Sequence, residues 1–456
     1  MPLSQARQQE ILQDIRATTS VANSSGHDAA VLLVSPSFAR SLDDQDFMSH
    51  LVSALSGSAE VENFHVVSAI VDHVAPSLGS FEPIRGISVL RGHLDDMLPQ
   101  LWEPAPPGVG GDADAASALT FGLGAASVTL PLAKTPFLNS RPSTLLTSLY
   151  DLSGGRPSLA HLADKRSQKI AWSTRQGLNK VSDLGLFAPL VPLTAPRAVT
   201  ESFGNIVRRI SAGSESVPAS TELELAVNTL HEKGVLSEYG PGPVSVWAVV
   251  TPNGQESDAV ADWLRTAPDP IRPVRDTTYI EELTTNTAIH LSKLYSLGGR
   301  FYKILSGGGG WGAKKGLLSL DPQHTHFAMS EEEEMTRFMR TMEDSSFTPR
   351  GSQIQFFISS LALPQTEPLV VPGISLGVAG EPLRAERQDQ PASRGFIYGH
   401  FGALSNDALF ISGPGLADGE TTKLSVDHSR VFAATHDGAA NHELCRRLLS
   451  STSNKP

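Results

Sequence analysis

Cysteine is nearly absent from this chain, which has one in 456 residues, Cys445. A single thiol cannot form an internal disulfide, so the sequence excludes a disulfide-built scaffold and any metal site made of several cysteines. Cys445 lies within an amphipathic stretch, 442–449, that predicts a C-terminal helix with the thiol buried as a small apolar side chain. We therefore expect a fold that does not depend on an oxidising compartment.

Long apolar runs and basic clusters are also missing. No stretch approaches the roughly 18 to 20 apolar residues that span a bilayer, so no membrane span is predicted. The chain has 36 basic residues against 48 acidic ones and a formal net charge of −12, which argues against nucleic acid as a partner. Residues 1–25 lack the order of a secretory signal and faintly favour a mitochondrial presequence, although Glu10 and Asp14 count against it. We expect an intracellular protein, cytoplasmic or mitochondrial.

No complete catalytic or metal-binding motif is present. Gly373 to Gly377 matches the letters of a Gly-x-Ser-x-Gly elbow around Ser375, but the residues that follow, 378–382, break a helix instead of opening one. His324 and His326 are two apart, yet the sequence has no HExxH pattern and too few cysteines for a cysteine-rich zinc site. The sequence therefore predicts no catalytic residue, no metal and no cofactor.

What the chain does contain is an ordinary globular composition, 40% hydrophobic and 18% charged, arranged in strand and helix patterns. The apolar run 29–34 predicts a strand buried on both faces. Helical spacing follows over 47–55, and a second apolar run occupies 64–71. Strand, helix and strand in this order predict a βαβ unit. The predicted fold class is α/β (mixed α+β), with layered sheets, flanking helices and more than one subdomain.

The chain divides by composition into five segments. They are an N-terminal helical or leader segment (1–25), an α/β domain (26–188), a middle α/β segment (189–345), a β-rich C-terminal segment (346–449) and a disordered tail (450–456). Helices are predicted to start near Leu145, with Ser143 as the cap, and to occupy 198–210, 220–233 and 281–297. The clearest predicted strand is 244–250.

The most unusual composition lies between Ser306 and Gly316. Consecutive glycines let a backbone approach a ligand closely, and its amides together with lysine side chains can hold an anion. A phosphate P-loop is excluded because Ala313 stands where the lysine is required, and a dinucleotide loop fits only in its loosest spacing. The loop is either a ligand contact or a tight, packed turn. The candidate ligand-binding residues are Ser306, Gly307, Gly308, Gly309, Gly310, Trp311, Gly312, Lys314 and Lys315.

A polar group on the predicted helix 198–210 adds to this candidate site. Asn205, Arg208 and Arg209 are three and four residues apart, which would place them on one face of a helix. Such a face either binds an anion or lies in solvent. We include Asn205 and Arg208 among the candidate ligand-binding residues.

Five segments carry a resemblance to a known family. They are AAVLLVSPSF (29–38), NSRPSTLLTSLY (139–150), LTAPRAVTESFGNIVRRI (193–210), VSVWAVVTP (244–252) and SGGGGWGAKKGLLSLDP (306–322), the last being the most specific. In this order they resemble a group of fungal proteins identified as FIST-domain proteins, over roughly residues 25–435. The resemblance implies an α/β sensory domain that binds small ligands, such as amino acids, in signal transduction. It implies no catalytic residue.

Three hypotheses follow from the sequence. The leading one is a non-enzymatic, small-ligand-binding or sensory protein of FIST type, whose ligand is an amino acid or an anion. The second is an enzyme that acts on a phosphorylated or acyl substrate at the glycine loop 306–316, which requires Lys314 or Lys315 to meet a His or Asp in a pocket. The third is an assembly or scaffold protein with a protein partner, which requires an exposed apolar patch.

Overall fold

The computed structural model describes residues 5–21, 26–57, 61–75, 84–103, 116–172, 184–236, 244–251, 258–307, 316–323, 348–360, 362–363, 372–380, 397–413 and 421–434. The predicted helix 442–449, the predicted tail 450–456 and the histidines at 324 and 326 lie outside these residues. All structural statements below concern the described residues.

Eight α-helices lie in the described part of the chain. They are α1 (Gln5–Val21), α2 (Ala39–Leu42), α3 (Gln45–Ser56), α4 (Leu94–Met97), α5 (Pro136–Asn139), α6 (Ser220–Glu232), α7 (Asp258–Arg265) and α8 (Thr277–Ser296), and Pro36–Phe38 is a 3-10 turn. The helices α6 and α8 confirm the predictions over 220–233 and 281–297. None of the eight is both long and apolar enough to cross a lipid bilayer.

The strands form four sheets. They are β1 (Ala29–Val34), β2 (Asn63–Ile70), β3 (His73–Val74), β4 (Ile87–Gly92), β5 (Ala118–Leu123), β6 (Ala126–Pro131), β7 (Leu145–Asp151), β8 (Ser158–Asp164), β9 (Ser167–Ala171), β10 (Gly185–Phe187), β11 (Leu190–Pro192), β12 (Arg197–Phe203), β13 (Ile206–Ala212), β14 (Glu215–Pro218), β15 (Val246–Thr251), β16 (Arg300–Gly307), β17 (Leu318–Leu320), β18 (Gln353–Ser359), β19 (Gly373–Val378), β20 (His400–Ser405), β21 (Leu409–Ser412), β22 (Thr422–Leu424) and β23 (Arg430–Ala434). The strand β15 confirms the strand predicted over 244–250.

The first sheet has the order β4-β1-β2-β7-β8 and confirms the predicted βαβ unit. Strands β1 and β2 are parallel, and α3 lies in the connection between them. The Asp44 carboxylate caps α3 by accepting hydrogen bonds from the backbone N–H groups of Asp46 and Phe47. Every residue of β1 is buried, because one face of the strand packs on α1 to α3 and the other contributes to the central core.

The other three sheets complete a layered α/β fold. The second sheet has the order β10-β23-β19-β20-β3, the third β11-β18-β12-β13-β17-β16-β15 with β14 beside β13, and the fourth β22-β21-β6-β5-β9. The central apolar core draws on all four sheets, through side chains such as Val31, Leu376, Trp247 and Leu409. Helix α6 covers the other face of the third sheet. The predicted fold class, with layered sheets and flanking helices, is confirmed.

Strands from the predicted C-terminal segment, 346–449, are distributed over three sheets. Strand β18 pairs with β11, β12 and β15 in the third sheet. Strand β20 pairs with β3 and strand β23 pairs with β10 in the second sheet, while β21 pairs with β6 in the fourth. Among the described residues this segment therefore has no sheet of its own, and its backbone hydrogen bonds tie it to both preceding segments.

The predicted helix from Leu145 is wrong. These residues form β7, which pairs with β2 on one side and β8 on the other. Ser143 does not cap a helix, since its hydroxyl accepts a hydrogen bond of 2.7 Å from the backbone N–H of Ser117. A short, continuous apolar run has the same pattern in a buried helix and a buried strand, and here the neighbouring strands decide.

The predicted helix over 198–210 is also wrong. These residues form the hairpin β12–β13, which turns at Gly204 with φ of 54°. The strand pairing shifts register near Glu201, so that Val207 and Ile210, three residues apart, both point into the core. A β-bulge thus produces the three-residue apolar spacing that imitates a helix.

A short connection links the first and second sheets. The chain leaves the first sheet at Ile70, and His73 and Val74 then pair with Leu404 and Ala403 of β20. The backbone N–H of Ala75 continues the pairing with a 3.2 Å hydrogen bond to the carbonyl of Gly402. Two sheets therefore share one stretch of chain.

The link between the two sheets leaves no room for a side chain at Gly402. A Cβ at Gly402 would lie 2.4 Å from the Ser375 carbonyl oxygen and 3.0 Å from the Ala75 Cβ. We expect Gly402→Ala to lower the free energy of unfolding in urea by about 1–3 kcal/mol, because backbone must move. The control is Gly122→Ala in β5, where the nearest atom would be 3.8 Å away. Equal unfolding free energies for the two variants would contradict this packing.

Candidate functional site

The glycine loop is the connection between two antiparallel neighbours, β16 and β17. Ser306 and Gly307 end β16 and are exposed, and Gly316 precedes β17. A Cβ at Gly307 would lie 2.4 Å from Leu318 Cδ2, so close packing against Leu318 favours glycine at this position. The remaining candidates of the loop lie outside the described residues; they are Gly308, Gly309, Gly310, Trp311, Gly312, Lys314 and Lys315. Ligand contact by these residues stays a prediction.

Asn205 does lie at the root of the glycine loop, although not on a helix. Its amide donates hydrogen bonds to the Leu320 carbonyl (2.8 Å) and to the Ser319 hydroxyl (3.3 Å). Ser319 is the Cα partner of both Ile206 and Ser306. The side chain of Asn205 therefore fastens the β12–β13 turn to β17, which is a structural role.

Arg208 is held on the surface by a carboxylate. The exposed guanidinium forms an ion pair of 2.8 Å with Glu201 on the neighbouring strand. Arg209, the next residue, donates to Ser216 on the strand β14. The β-bulge turns both arginines away from the core, so they share the solvent side for a reason unrelated to helical spacing.

Large apolar side chains are exposed near the same loop root. Phe203, at the end of β12, is 73% exposed, and Leu305, beside Ser306, is 57% exposed. The register places Phe203 opposite Ile206, which lies opposite Ser319. The described root of the glycine loop is thus an open, partly apolar surface with its polar groups already paired.

Ser375 does not form a nucleophile elbow. It lies in the middle of β19, with Gly402 and Phe432 as its Cα partners, and is fully buried. An elbow requires a serine on a sharp turn between a strand and a helix. The Gly-x-Ser-x-Gly letters are therefore part of a buried strand.

A different polar group lies where two parallel strand pairs end. Strands β1 and β2 are parallel in the first sheet, and β19 and β20 are parallel in the second. Asp72 follows the end of β2 and Asn406 follows the end of β20. The backbone N–H of Asn406 donates a 2.8 Å hydrogen bond to Asp72 Oδ2. The carboxyl ends of both pairs thus meet, which is where ligands bind in many α/β proteins.

We call Asp72, His73, Asn406 and Asp407 the carboxyl-end cluster. The His73 ring forms a side-chain hydrogen bond with Asn406, and Asp407 lies close enough to Asp72 for electrostatic coupling. Asp72 and His73 are half-buried, whereas Asn406 and Asp407 are exposed. Buried groups and solvent-facing groups therefore share one small surface region.

The two titratable groups at the centre of the cluster are shifted in opposite directions. Burial raises the pKa of Asp72, the nearby Asp407 charge adds to the rise, and the N–H of Asn406 opposes it. Burial lowers the pKa of His73, Arg85 adds to the lowering, and the Asp72 charge opposes it. Both shifts disfavour the charged form of the side chain, and perturbed pKa values cluster at functional sites.

Arg85 gives the cluster its only cation of fixed charge among the groups coupled to Asp72 and His73. It is exposed, and its field acts on His73. The cluster therefore combines two carboxylates and a mostly neutral imidazole with the field of a nearby guanidinium. Such an arrangement can hold a small molecule that carries an ammonium group and an anionic group.

This cluster was not among the candidate sites predicted from the sequence. Asp407 has no carboxylate partner at a defined spacing in the sequence, and Asp72 is more than 300 residues away from it. A signal was available, because an acid and an imidazole follow directly on the predicted strand 64–71. Only the pairing of β3 with β20 brings them to Asn406. No group of three or more His, Cys, Asp or Glu side chains in the described ranges is arranged to bind a metal ion.

Comparison with known proteins adds no assignment to this geometry. Neither protein-family models, nor curated proteins, nor solved structures match the chain. The resemblance to FIST-domain proteins stays a prediction from the sequence segments.

The raised pKa of Asp72 predicts a stability cost. Because the folded state binds this proton more tightly than the unfolded state, ionised Asp72 destabilises the fold at neutral pH. We expect Asp72→Asn, which still accepts from Asn406, to raise Tm at pH 7. The gain should shrink as the pH falls through the raised pKa and vanish below the unfolded value of 3.8. The control Asp262→Asn removes an exposed acid that pairs with Arg265 and should not raise Tm.

The described contacts of Asn205 and Arg208 predict unequal costs of substitution. We expect Asn205→Ala to lower the free energy of unfolding by about 1 kcal/mol, since two hydrogen bonds are lost. We expect Arg208→Ala to change it by less than about 0.5 kcal/mol, because its ion pair is exposed. Urea denaturation measures both. A larger loss in Arg208→Ala than in Asn205→Ala would show that these contacts are misassigned.

Proposed function

We propose that the protein is a small-ligand-binding or sensory protein of FIST type, and that its ligand binds at the carboxyl-end cluster. The observation that carries the proposal is the hydrogen bond between the Asn406 N–H and Asp72, which joins the carboxyl ends of two parallel strand pairs. In many α/β proteins the ligand binds where the carboxyl ends of parallel strands open a crevice.

Charge indicates the class of ligand. Asp72 is partly removed from water and lies close to Asp407. The neighbouring His73 has a lowered pKa, so its imidazole is mostly uncharged and does little to offset the two carboxylates. A ligand ammonium group would relieve the repulsion between the two carboxylates. Arg85 is placed to attract a ligand carboxylate. We therefore propose an amino acid, or a small amine that also carries an anionic group, as the ligand.

The glycine loop is the competing location for the same function. Its described root supports a packed connection, since Asn205 and Arg208 are engaged within the protein. Its tip, with Lys314 and Lys315, lies outside the described residues. An anionic ligand without an ammonium group would favour the loop, whereas a ligand with an ammonium group favours Asp72.

A ligand panel in a thermal-shift assay tests the proposal. The panel contains the twenty amino acids, their decarboxylated amines and their N-acetyl forms, each at millimolar concentration and pH 7.5. We expect an amino acid to raise Tm in proportion to RT ln(1 + [L]/Kd), about 2.7 kcal/mol at one hundred times Kd. The N-acetyl form of the same amino acid, which lacks the ammonium charge, should have no effect.

Matched variants locate the binding site. Asp72→Asn should abolish the ligand-induced rise in Tm, while the exposed-acid control Asp262→Asn should retain it. Removal of the ligand response by Lys314→Gln and Lys315→Gln, with Asp72→Asn unaffected, would move the site to the glycine loop. No response to any compound in the wild-type protein would contradict ligand binding of the proposed class.

One observation favours a second candidate, an enzyme that uses Asp72 and His73 as acid and base. Burial raises the pKa of Asp72 and lowers that of His73, and enzymes tune the pKa values of catalytic carboxyl groups upward by burial in this way. Incubation of the protein with each stabilising ligand, followed by mass spectrometry, tests this candidate. A product formed by the wild-type protein and not by Asp72→Asn would establish an enzyme in place of a binding protein.

A further inference from the structure

A tryptophan is inserted between two histidines at the opposite end of the first sheet. His65 of β2 and His161 of β8 are both Cα partners of Leu149 on β7, so they point to the same face two strands apart. The Trp102 ring lies over this face, 5.8 Å from the centre of the His65 ring and 5.4 Å from that of His161. Strands β2 and β8 are two strand spacings apart, about 10 Å, which leaves room for one ring between the two imidazoles.

The contact between Trp102 and His65 fixes the protonation state of the imidazole. The indole N–H donates a 2.9 Å hydrogen bond to His65 Nδ1. Indole nitrogen is a donor only, so Nδ1 must be an acceptor and the proton of His65 must be on Nε2. An imidazolium carries protons on both nitrogens, which would place two N–H donors against each other. The contact therefore requires neutral His65.

Trp102 lies near the end of a short segment that packs on the central core. We call residues 98–103 the strap; they follow α4, and Leu98 and Leu101 are both 2% exposed. Gln168 holds the start of the strap through a 3.0 Å hydrogen bond to the Pro99 carbonyl. In its middle, the Gln100 carbonyl accepts a 3.3 Å hydrogen bond from Lys165 Nζ, and toward its other end Trp102 contacts the first sheet.

Titratable groups lie on each element around His65, and two acids act on it directly. Asp28, before β1, and Asp95, on α4, favour its protonated form. His161 faces it from β8 across the indole. On the strap, Glu103 is coupled to Lys165, beyond the end of β8. Burial outweighs the two acids and lowers the pKa of His65 below 6.5, so the imidazole is mostly neutral at pH 7.

We propose that Trp102 and His65 form an acid-released latch, in which protonation of His65 breaks the indole hydrogen bond and frees the end of the strap from the first sheet. At neutral pH the latch is closed. Acidification opens it locally and uncovers the inner face of the sheet beside His65 and His161. The latch is independent of the proposed ligand site, which lies at the other end of β2, and so provides a separate means of regulation.

The sign of the stability effect follows from the depressed pKa. The unfolded state binds the His65 proton more tightly than the folded state, so the latch stabilises the protein fully above the unfolded pKa of 6.5. That contribution falls as the pH drops below this value, and the loss is complete below the folded pKa. An imidazolium stacked over the indole face would recover some energy, but only after the N–H edge has left Nδ1.

Selective ¹⁵N labelling of tryptophan gives a direct test, because the chain has 5 tryptophans and each gives one indole N–H signal. Trp102→Phe assigns the signal of Trp102. In the wild-type protein we expect this signal to shift upfield in one titration step below pH 6.5, while the other signals stay in place. A stationary Trp102 signal between pH 7.5 and 5 would overturn the proposal.

Two variants separate the latch from a purely structural contact. His65→Asn places an amide oxygen where Nδ1 stood, so it accepts from the indole N–H and does not titrate. Its Trp102 signal should be that of the closed state at every pH. Asp28→Asn removes an acid that favours imidazolium and keeps an oxygen for the Leu94 N–H, so its titration step should move to lower pH. His161→Gln should titrate like the wild-type protein. The same step in His65→Asn, or no displacement in Asp28→Asn, would refute the latch.

Discussion

The passage of one chain segment from the first sheet into the second is the constraint on which the rest of the structure depends. Strand β2 ends at Ile70, and His73 and Val74 already pair with β20. There is room for this crossing only because Gly402 has no side chain: a Cβ there would meet the Ser375 carbonyl at 2.4 Å. The crossing leaves Asp72 between two sheets, where it is partly buried and bonded to Asn406. The same crossing of the chain therefore joins the two sheets and positions Asp72 of the candidate site.

Much of the fold could be predicted from local patterns, and the failures have identifiable causes. The βαβ unit, α6, α8 and β15 each combine a clear apolar periodicity with a cap or turn, and each was predicted. The run from Leu145 was ambiguous because buried helices and buried strands share the same apolar pattern. The hairpin over 198–210 imitated a helix because a β-bulge spaces Val207 and Ile210 by three residues. The mixing of C-terminal strands into earlier sheets depends on long-range pairing, which local patterns do not encode.

The candidate site was less predictable than the fold. The glycine content made 306–316 the predicted site. Near the root of this loop, Asn205 hydrogen-bonds the β12–β13 turn to β17, and Arg208 pairs with Glu201. The carboxyl-end cluster has no unusual composition, since its acid and its amide are distant in sequence and meet only through the pairing of β3 with β20. What marks it is energetic: burial raises the pKa of Asp72 and lowers that of His73. A carboxylate in such a place costs the fold stability, and the proposed binding role would explain why it is kept.

The most direct test of ligand binding at Asp72 is to measure the pKa of this carboxyl group with and without ligand. Protein labelled with ¹³C at the aspartate carboxyl carbons, with Asp72→Asn used for assignment, reports the titration of this one group. We expect Asp72 to titrate above 3.8 in the free protein, and we expect a bound ligand with an ammonium group to lower its pKa. A carboxyl that titrates at or below 3.8 and does not respond to ligand would contradict the assignment of the binding site to Asp72.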